Sequence, residues 1–290
     1  MFEIFSAFPV LFMTSVGLLG LVIGSFLNVV IHRLPIMLES EWRKECQQFL
    51  AIESDEPSTA ESYNLAVPRS HCPGCGKSLR VLENIPVISF LILRGRCSGC
   101  GMGIPFRYPV VEVLAALLSL VVAWHLGVTI QMVAALVLTW GLIVLSFIDF
   151  DRQLLPDLIT LPLLWLGLLL SVFEIFIDSK ASILGAALGY LSLWLVFQLF
   201  RWITGKEGMG FGDFKLLAVL GAWLGWQYLP LIILLSSVLG SVVGLLMILF
   251  MGHDRRLPIP FGPYLAAAGW VALIWGDRLN AIYMGWINYP

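Results

Sequence analysis

Long apolar runs separated by short polar breaks make up most of this chain. A helix needs about 20 residues to cross roughly 30 Å of hydrocarbon. Runs of that kind can be drawn at 8–31, 109–126, 129–148, 158–177, 183–202, 215–226, 229–251 and 261–277. The pattern therefore predicts about eight transmembrane helices. The sixth is short, and only Gln227 and Pro230 part it from the seventh, so seven is the alternative count. The one sizeable polar insertion, 33–107, follows the first run. Within it, 39–52 is expected to form a short amphipathic helix, and the acidic stretch 53–64 reads as a loop.

Composition excludes one class of answer. With 59% hydrophobic residues, 12% charged residues and a mean hydropathy of +0.91, the 290 residues offer too little polar surface for a water-soluble globule. The expected fold is an all-α polytopic membrane protein with a small cytoplasmic module inserted after helix 1. Its expected divisions are a first transmembrane helix (1–32), a cysteine-rich module (33–107) and a membrane-embedded core (108–290). The first apolar run starts with Glu3 and no basic residue, and no small-residue cleavage site follows, so it is expected to stay as a helix. Charge orients the whole. With the amino terminus outside, all of the 17 Lys and Arg residues except Lys180 and Arg278 fall in inside loops or helix ends. That is a strong positive-inside bias. It places the 33–107 loop in the cytoplasm and both chain ends on the other side. Membrane lipid is an expected partner, and nucleic acid is not.

"HCPGCGKSL" and "RCSGCGMGI" set Cys72, Cys75, Cys97 and Cys100 in two C-x-x-C knuckles at a spacing suited to a four-thiolate zinc site. Two disulfides or a redox pair are the alternatives. A cytoplasmic loop disfavours stable disulfides, and redox motifs are not usually duplicated. A closed four-sulfur shell leaves no position for a reactive water, so the zinc is expected to be structural. Cys46 is left over as a free thiol, and His71 is a neighbour of the site.

Ionisable side chains within a membrane span are functional candidates, because their burial is costly. "LSFIDFDRQLLPD" closes the third run with Asp149, Asp151 and Asp157, and "GMGFGDFK" opens the sixth with Asp213. In the orientation above, both clusters lie at the cytoplasmic edge of the bilayer and can meet. Plainer readings exist for each. Asp157, after Pro156, is expected to be a helix N-cap, and Asp151 beside Arg152 an interfacial charge. Asp213 alone could be an N-cap, and Lys206 and Lys215 snorkelling anchors. The functional reading is a pair of carboxylates sharing a proton across facing helices. One ionised carboxylate would take a proton from water while a neutral one polarises a peptide carbonyl. Close carboxylates resist double ionisation and so reach that mixed state unaided. Gly208, Gly210 and Gly212 are expected to leave the backbone beside Asp213 open to an extended substrate.

The chain resembles the type IV prepilin peptidases, bacterial inner-membrane aspartic proteases with a G-x-G-D motif. The resemblance rests on "GSFLNVVIHRLP" at 24–35, the two cysteine knuckles, "ID" with "PD" eight residues on, "GMGFGDFK", and "PIPFGPYLA" at 258–266. It implies that Asp149, rather than Asp151, pairs with Asp213 in catalysis. It also implies two activities: removal of the short basic leader from type IV prepilins and type II secretion pseudopilins at the cytoplasmic face, then N-methylation of the new terminal residue, usually phenylalanine. S-adenosylmethionine would be the methyl donor, and the cysteine-rich loop is associated with that transfer. No strand followed by G-x-G-x-x-G occurs, so no donor-binding residues are assigned. A proton- or cation-coupled transporter could also use intramembrane carboxylates, a zinc-bearing scaffold would use neither aspartate, and a Ser-Lys peptidase would draw on Ser146 or Ser25 with Lys206 or Lys215.

Overall fold

The computed structural model describes residues 8–51, 63–78, 85–206, 208–251 and 260–287. Its helices are α1 (Pro9–Phe49), α2 (Ile88–Ile92), α3 (Arg107–Leu126), α4 (Ile130–Arg152), α5 (Asp157–Val172), α6 (Ser179–Thr204), α7 (Phe211–Leu224), α8 (Leu229–Met251) and α9 (Gly262–Ile287). Among the described residues, β-structure amounts to two isolated bridges, His71 with Ser78 and Arg96 with Gly103. Apart from the short α2, each helix covers one of the eight apolar runs. Among the described residues, five segments are long and apolar enough to cross a membrane: α1, α3, α4, α6 and Trp226–Phe250; α5 is a shorter apolar helix. The chain is a multi-pass membrane protein.

Two boundaries differ from expectation. Helix α1 runs unbroken for 41 residues, with Pro35 inside it, so residues 39–49 are not a separate helix. The stretch from Ile36 to Phe49 is rich in Leu, Met, Glu, Lys, Arg and Gln, all good helix formers, and nothing in it ends the helix. At 1.5 Å per residue α1 is about 60 Å long, twice the hydrocarbon thickness. The loop expected over 53–64 falls mostly outside the described residues. The break between sixth and seventh runs lies slightly earlier than expected: α7 stops at Leu224, Gly225 takes φ 91°, and a 3-10 turn covers Trp226–Tyr228. Pro230 then sits in the first turn of α8, where its missing N–H has no helical partner to lose.

The chain forms two compact units, Met1–Trp124 and His125–Pro290. In the first, α1 and α3 approach closely at Gly20 and Gly24. A Cβ on Gly24 would stand 2.6 Å from Glu112 Cα, and one on Gly20 2.7 Å from Ala116 Cα. Residues four apart share a helix face, and small residues there let backbones touch, which is how helices associate in lipid. One turn further on, buried Asn28 donates to the Tyr108 carbonyl at 3.0 Å. Arg33, also buried, donates to the carbonyls of Asn64 (2.8 Å) and Pro68 (2.6 Å) and lies over the Tyr63 ring, tying the segment after the insertion's first part to α1.

In the second unit α7 is the hub. Every residue from Leu216 to Leu224 is buried, the mark of a helix surrounded by others. Gly185 and Gly189 on α6 lie against the main chain of Gly221 and Leu217 on α7, so neither can carry a side chain. Ser182 donates to the Ala222 carbonyl at 2.6 Å, and Trp223 Nε1 reaches the Leu163 carbonyl of α5 at 2.8 Å. The outer face of α6, with Leu184, Leu188, Leu191 and Leu195, stays exposed, as a lipid-facing surface should.

Candidate active site

Helix α4 opens on a Thr129 cap, whose Oγ1 accepts from the Met132 N–H at 3.1 Å, and closes just past Arg152. Gln153 ends it in a left-handed conformation, and its N–H donates to the Asp149 carbonyl oxygen at 2.8 Å. Asp149 thus sits in the last turn of a helix that must stop there. Helix α7 opens on Gly210, which leaves Asp213 in the first turn as its third residue. It is not the capping residue, and its carboxylate turns back toward Gly210. The two aspartates are 6% and 7% exposed, the two buried carboxylates of this unit among the described residues, and they interact electrostatically. Asp149 Oδ2 also accepts from the Gly262 N–H at the start of α9, at 3.0 Å.

Leu155, buried in the link from α4 to α5, fills the space beside the pair. A Cβ on Gly212 would lie 2.8 Å from its Cβ, and one on Gly262 would lie 3.2 Å from its Cδ2. The three glycines before Asp213 therefore differ. Gly208 is covered by the Phe200 ring and Gly212 by Leu155, while Gly210 faces only the Asp213 carboxylate, 3.9 Å away. The open backbone expected over all three is confined to Gly210.

The other acidic and basic candidates lie elsewhere. Asp157 does not cap α5 with its side chain: Pro156 occupies the cap position, and both Asp157 oxygens accept from Lys215 Nζ, at 2.7 and 2.8 Å. Lys215 is accordingly an ion-pair partner and no free snorkelling anchor. Asp151 is exposed. Ser146 donates to the carbonyl of Leu142 on its own helix at 2.7 Å. With Lys215 held by Asp157 and Ser146 turned to the backbone, the serine–lysine arrangement built from these two is not assembled.

In the first unit the four cysteines form a compact cluster, with all Sγ atoms within 4.8 Å of one another. Cys72 and Cys100 are 3.7 Å apart, Cys75 and Cys97 3.9 Å. A tetrahedron with metal–sulfur bonds of about 2.3 Å has edges of about 3.8 Å, so the separations suit zinc and exceed any disulfide. Each knuckle turns on a glycine after its second cysteine, Gly76 at φ 68° and Gly101 at φ 74°, where other residues would be strained. Main-chain N–H groups of Cys100 and Gly99 hold the Cys97 thiol down at about 6, from an ordinary 9.0. Cys75 sits high, at about 11: the Lys77 main chain draws it down, but desolvation and the sulfur neighbours outweigh that. Four thiolates this close repel one another, and a central cation lets all four ionise together. The residues fit a four-cysteine metal site. His71 is not in the cluster; its Nδ1 lies 3.1 Å from the Arg69 carbonyl.

Comparison with known proteins assigns both units. Residues 18–126 match the Bacterial Peptidase A24 N-terminal domain, and residues 136–245 match the Type IV leader peptidase family. A protein of Pseudomonas aeruginosa named Prepilin leader peptidase/N-methyltransferase is 54% identical over 97% of this chain and 96% of its own length. Proteins of the same name from Aeromonas salmonicida and Legionella pneumophila are 53% and 46% identical, over 98% and 93% of this chain and 98% and 94% of theirs. The chain belongs to the type IV leader peptidase family. No solved structure matches it. All four cysteines fall in the N-terminal match and both buried aspartates in the leader peptidase match.

Three polar contacts of this leader peptidase were not legible as such in the sequence. Arg33 reads as an inside charge and turns out to be a buried tether. Glu112 lies in an apolar run, and its Oε2 accepts from the Val87 N–H at 2.8 Å; its charge within a predicted span was the available signal. Gly262 carries no side chain to read, and only its place in "PIPFGPYLA" marked it.

Proposed function

We propose that this enzyme cleaves the leader from type IV prepilins and type II secretion pseudopilins with Asp149 and Asp213 as its acid–base pair, and then N-methylates the exposed α-amino group. The observation that carries the reading is the meeting of two buried carboxylates, one from the last turn of α4 and one from the first turn of α7, beside the unfilled backbone of Gly210. One carboxylate takes a proton from water as the water attacks the scissile carbonyl. The other, protonated, gives its proton to the carbonyl oxygen; as the intermediate collapses that proton returns to it from the new hydroxyl, and the carboxylate that took water's proton passes it to the leaving amine. Low surrounding dielectric strengthens each of these interactions. Gly210 leaves room for a locally extended substrate, which an intact helix could not present for attack.

The same reading places the enzyme in the bacterial inner membrane with the 33–107 module and the active site facing the cytoplasm. A basic leader ahead of an apolar helix stays on that side, which puts its scissile bond at the membrane edge. Residues 108–290 form the peptidase core. Cys72, Cys75, Cys97 and Cys100 would hold a structural zinc, whose role is to fold the module and not to activate water, because four sulfurs close its coordination shell. S-adenosylmethionine supplies the methyl group. Membership in a leader peptidase family removes the ground for a transporter reading.

The test is to incubate the purified full-length enzyme with a prepilin and S-adenosylmethionine and to weigh the product's new amino terminus by mass spectrometry. Loss of the leader and a gain of one methyl group are expected. An unprocessed prepilin, or cleavage that survives Asp149→Asn, overturns the reading.

A further inference from the structure

We propose that Gly262 is a positioning residue for the peptidase reaction: its main-chain N–H fixes the Asp149 carboxylate against Asp213, and its missing side chain leaves the space that carboxylate occupies. The inference rests on Asp149 and Asp213 being the catalytic pair.

Two independent features of the geometry meet at this residue. The Gly262 N–H, the first of α9, donates to Asp149 Oδ2 at 3.0 Å in a buried setting. A helix's first N–H groups have no partner within the helix, so this donor is free to serve another element. The second feature is steric. A Cβ at position 262 would lie 2.6 Å from Asp149 Oδ2 and 3.1 Å from its Cγ. The same Cβ would also crowd Leu155 Cδ2, at 3.2 Å. Any side chain at 262 must push the carboxylate away from the N–H that holds it.

The contact also explains what α9 adds. Asp149 comes from the end of α4, and Gln153 satisfies only its main-chain carbonyl. Nothing on α4 itself fixes the rotation of the carboxylate. The α9 amide does so from outside the helix, while Asp213 leans back on its own Gly210. Each member of the pair is then oriented by a separate glycine, and Leu155 packs between Gly212 and Gly262. In a reaction that depends on a proton held between two carboxylates, misplacing one by about 1 Å costs on the order of 100-fold.

The test compares full-length Gly262→Ala with Gly141→Ala, using cleavage of a prepilin across a range of pH. Gly141, on α4, has a Leu163 methyl 2.6 Å from its Cβ position and no contact with the pair, so it controls for crowding alone. The expected result for Gly262→Ala is a fall in kcat of about 100-fold with KM little changed. The limbs of its pH–kcat profile should move by about half a unit or more, because the hydrogen bond tunes the pair's titration. Gly141→Ala should keep the wild-type profile. Wild-type kcat and pH profile in Gly262→Ala would overturn the proposal, as would an equal loss in Gly141→Ala with no change of profile in either. If Gly262→Ala does not accumulate, Leu155→Ala added to it supplies room, and a double variant as active as Leu155→Ala alone would equally overturn it. Asp149→Asn separates the two levels: if it still cleaves, the catalytic-pair reading has failed, whereas loss there with full activity in Gly262→Ala defeats only the positioning role.

Discussion

In the cysteine cluster each pair of sulfurs comes from one short turn, Cys72 with Cys75 and Cys97 with Cys100, whereas Asp149 and Asp213 are delivered by the end of one helix and the start of another. The knuckles turn on Gly76 and Gly101 and close on their own main chain: Gly76 N–H donates to the Cys72 carbonyl and Gly101 N–H to that of Cys97. The aspartate pair has no such local frame. It depends on α4 stopping at Arg152, on α7 starting at Phe211, on Leu155 between them and on an amide from α9. A locally built cluster can form before the rest of a chain has packed; one assembled from distant helix ends requires the whole core to be in register.

The largest effect that would break this comparison is at the pair. Asp149→Asn or Asp213→Asn should lower leader cleavage by roughly 10²–10⁴-fold, the usual worth of a general acid or base. Neither should lower methylation of a pilin already stripped of its leader. Mass spectrometry of both products from one preparation checks this. Loss of both activities together would mean that the aspartates support the fold and not one reaction.

That difference in construction also decides what could be read from the chain. Eight apolar runs located eight helices, and among the described residues five segments have the length and apolarity that crossing lipid demands, both visible in sequence. The cysteine cluster was legible for a similar reason: two C-x-x-C turns declare their own geometry. The aspartates were legible as buried charges, but choosing Asp149 over Asp151 required resemblance to a family. In the structure the choice has a plain physical content, since Asp149 is buried and Asp151 exposed. The misreadings have one cause. Asp157 after a proline fits a cap and Lys215 at a helix start fits an anchor, and both inferences use only neighbours in sequence. Their partners are each other, 58 residues apart. The separate helix expected at 39–52 proved instead to be the continuation of α1, because the residues from Ile36 on are strongly helix-forming.

At the cysteines, Cys72→Ser combined with Cys97→Ser should abolish zinc retention, measured by elemental analysis of the purified enzyme. Methylation should fall by about tenfold or more, the order seen when metal-site geometry is disturbed, with cleavage reduced less. Equal losses of the two activities would show that the module serves the core as a whole.

Arg33 tests how local the cysteine module is. Arg33 is 8% exposed, and its guanidinium holds the carbonyls of Asn64 and Pro68, just ahead of the first knuckle. Arg33→Met leaves those carbonyls without their charged donor and should cost about 1.5–3 kcal/mol of local stability. Faster proteolysis or amide exchange around 63–68 is the readout, with zinc content unchanged if the knuckles are self-sufficient. Zinc loss would show that the module borrows its frame from α1.

The smallest effect belongs to the ion pair between Asp157 and Lys215, the latter two residues along the chain from Asp213. Lys215 is 31% exposed and Asp157 53%, so solvent screens their attraction, and a pair of this kind contributes about 0–1 kcal/mol. Lys215→Met and Asp157→Asn should therefore each leave cleavage within about fivefold of wild type, the rate equivalent of that energy. The double variant should be no worse than the poorer single one, because each change removes the same interaction. Raised salt should narrow the gap from wild type. Lys215 stands two residues from Asp213: were it a proton carrier in its own right, Lys215→Met would fall as far as Asp213→Asn and Asp157→Asn would not follow. Kinetics of the four proteins at two salt concentrations distinguish a brace between the starts of α5 and α7 from a third member of the proposed acid–base machinery.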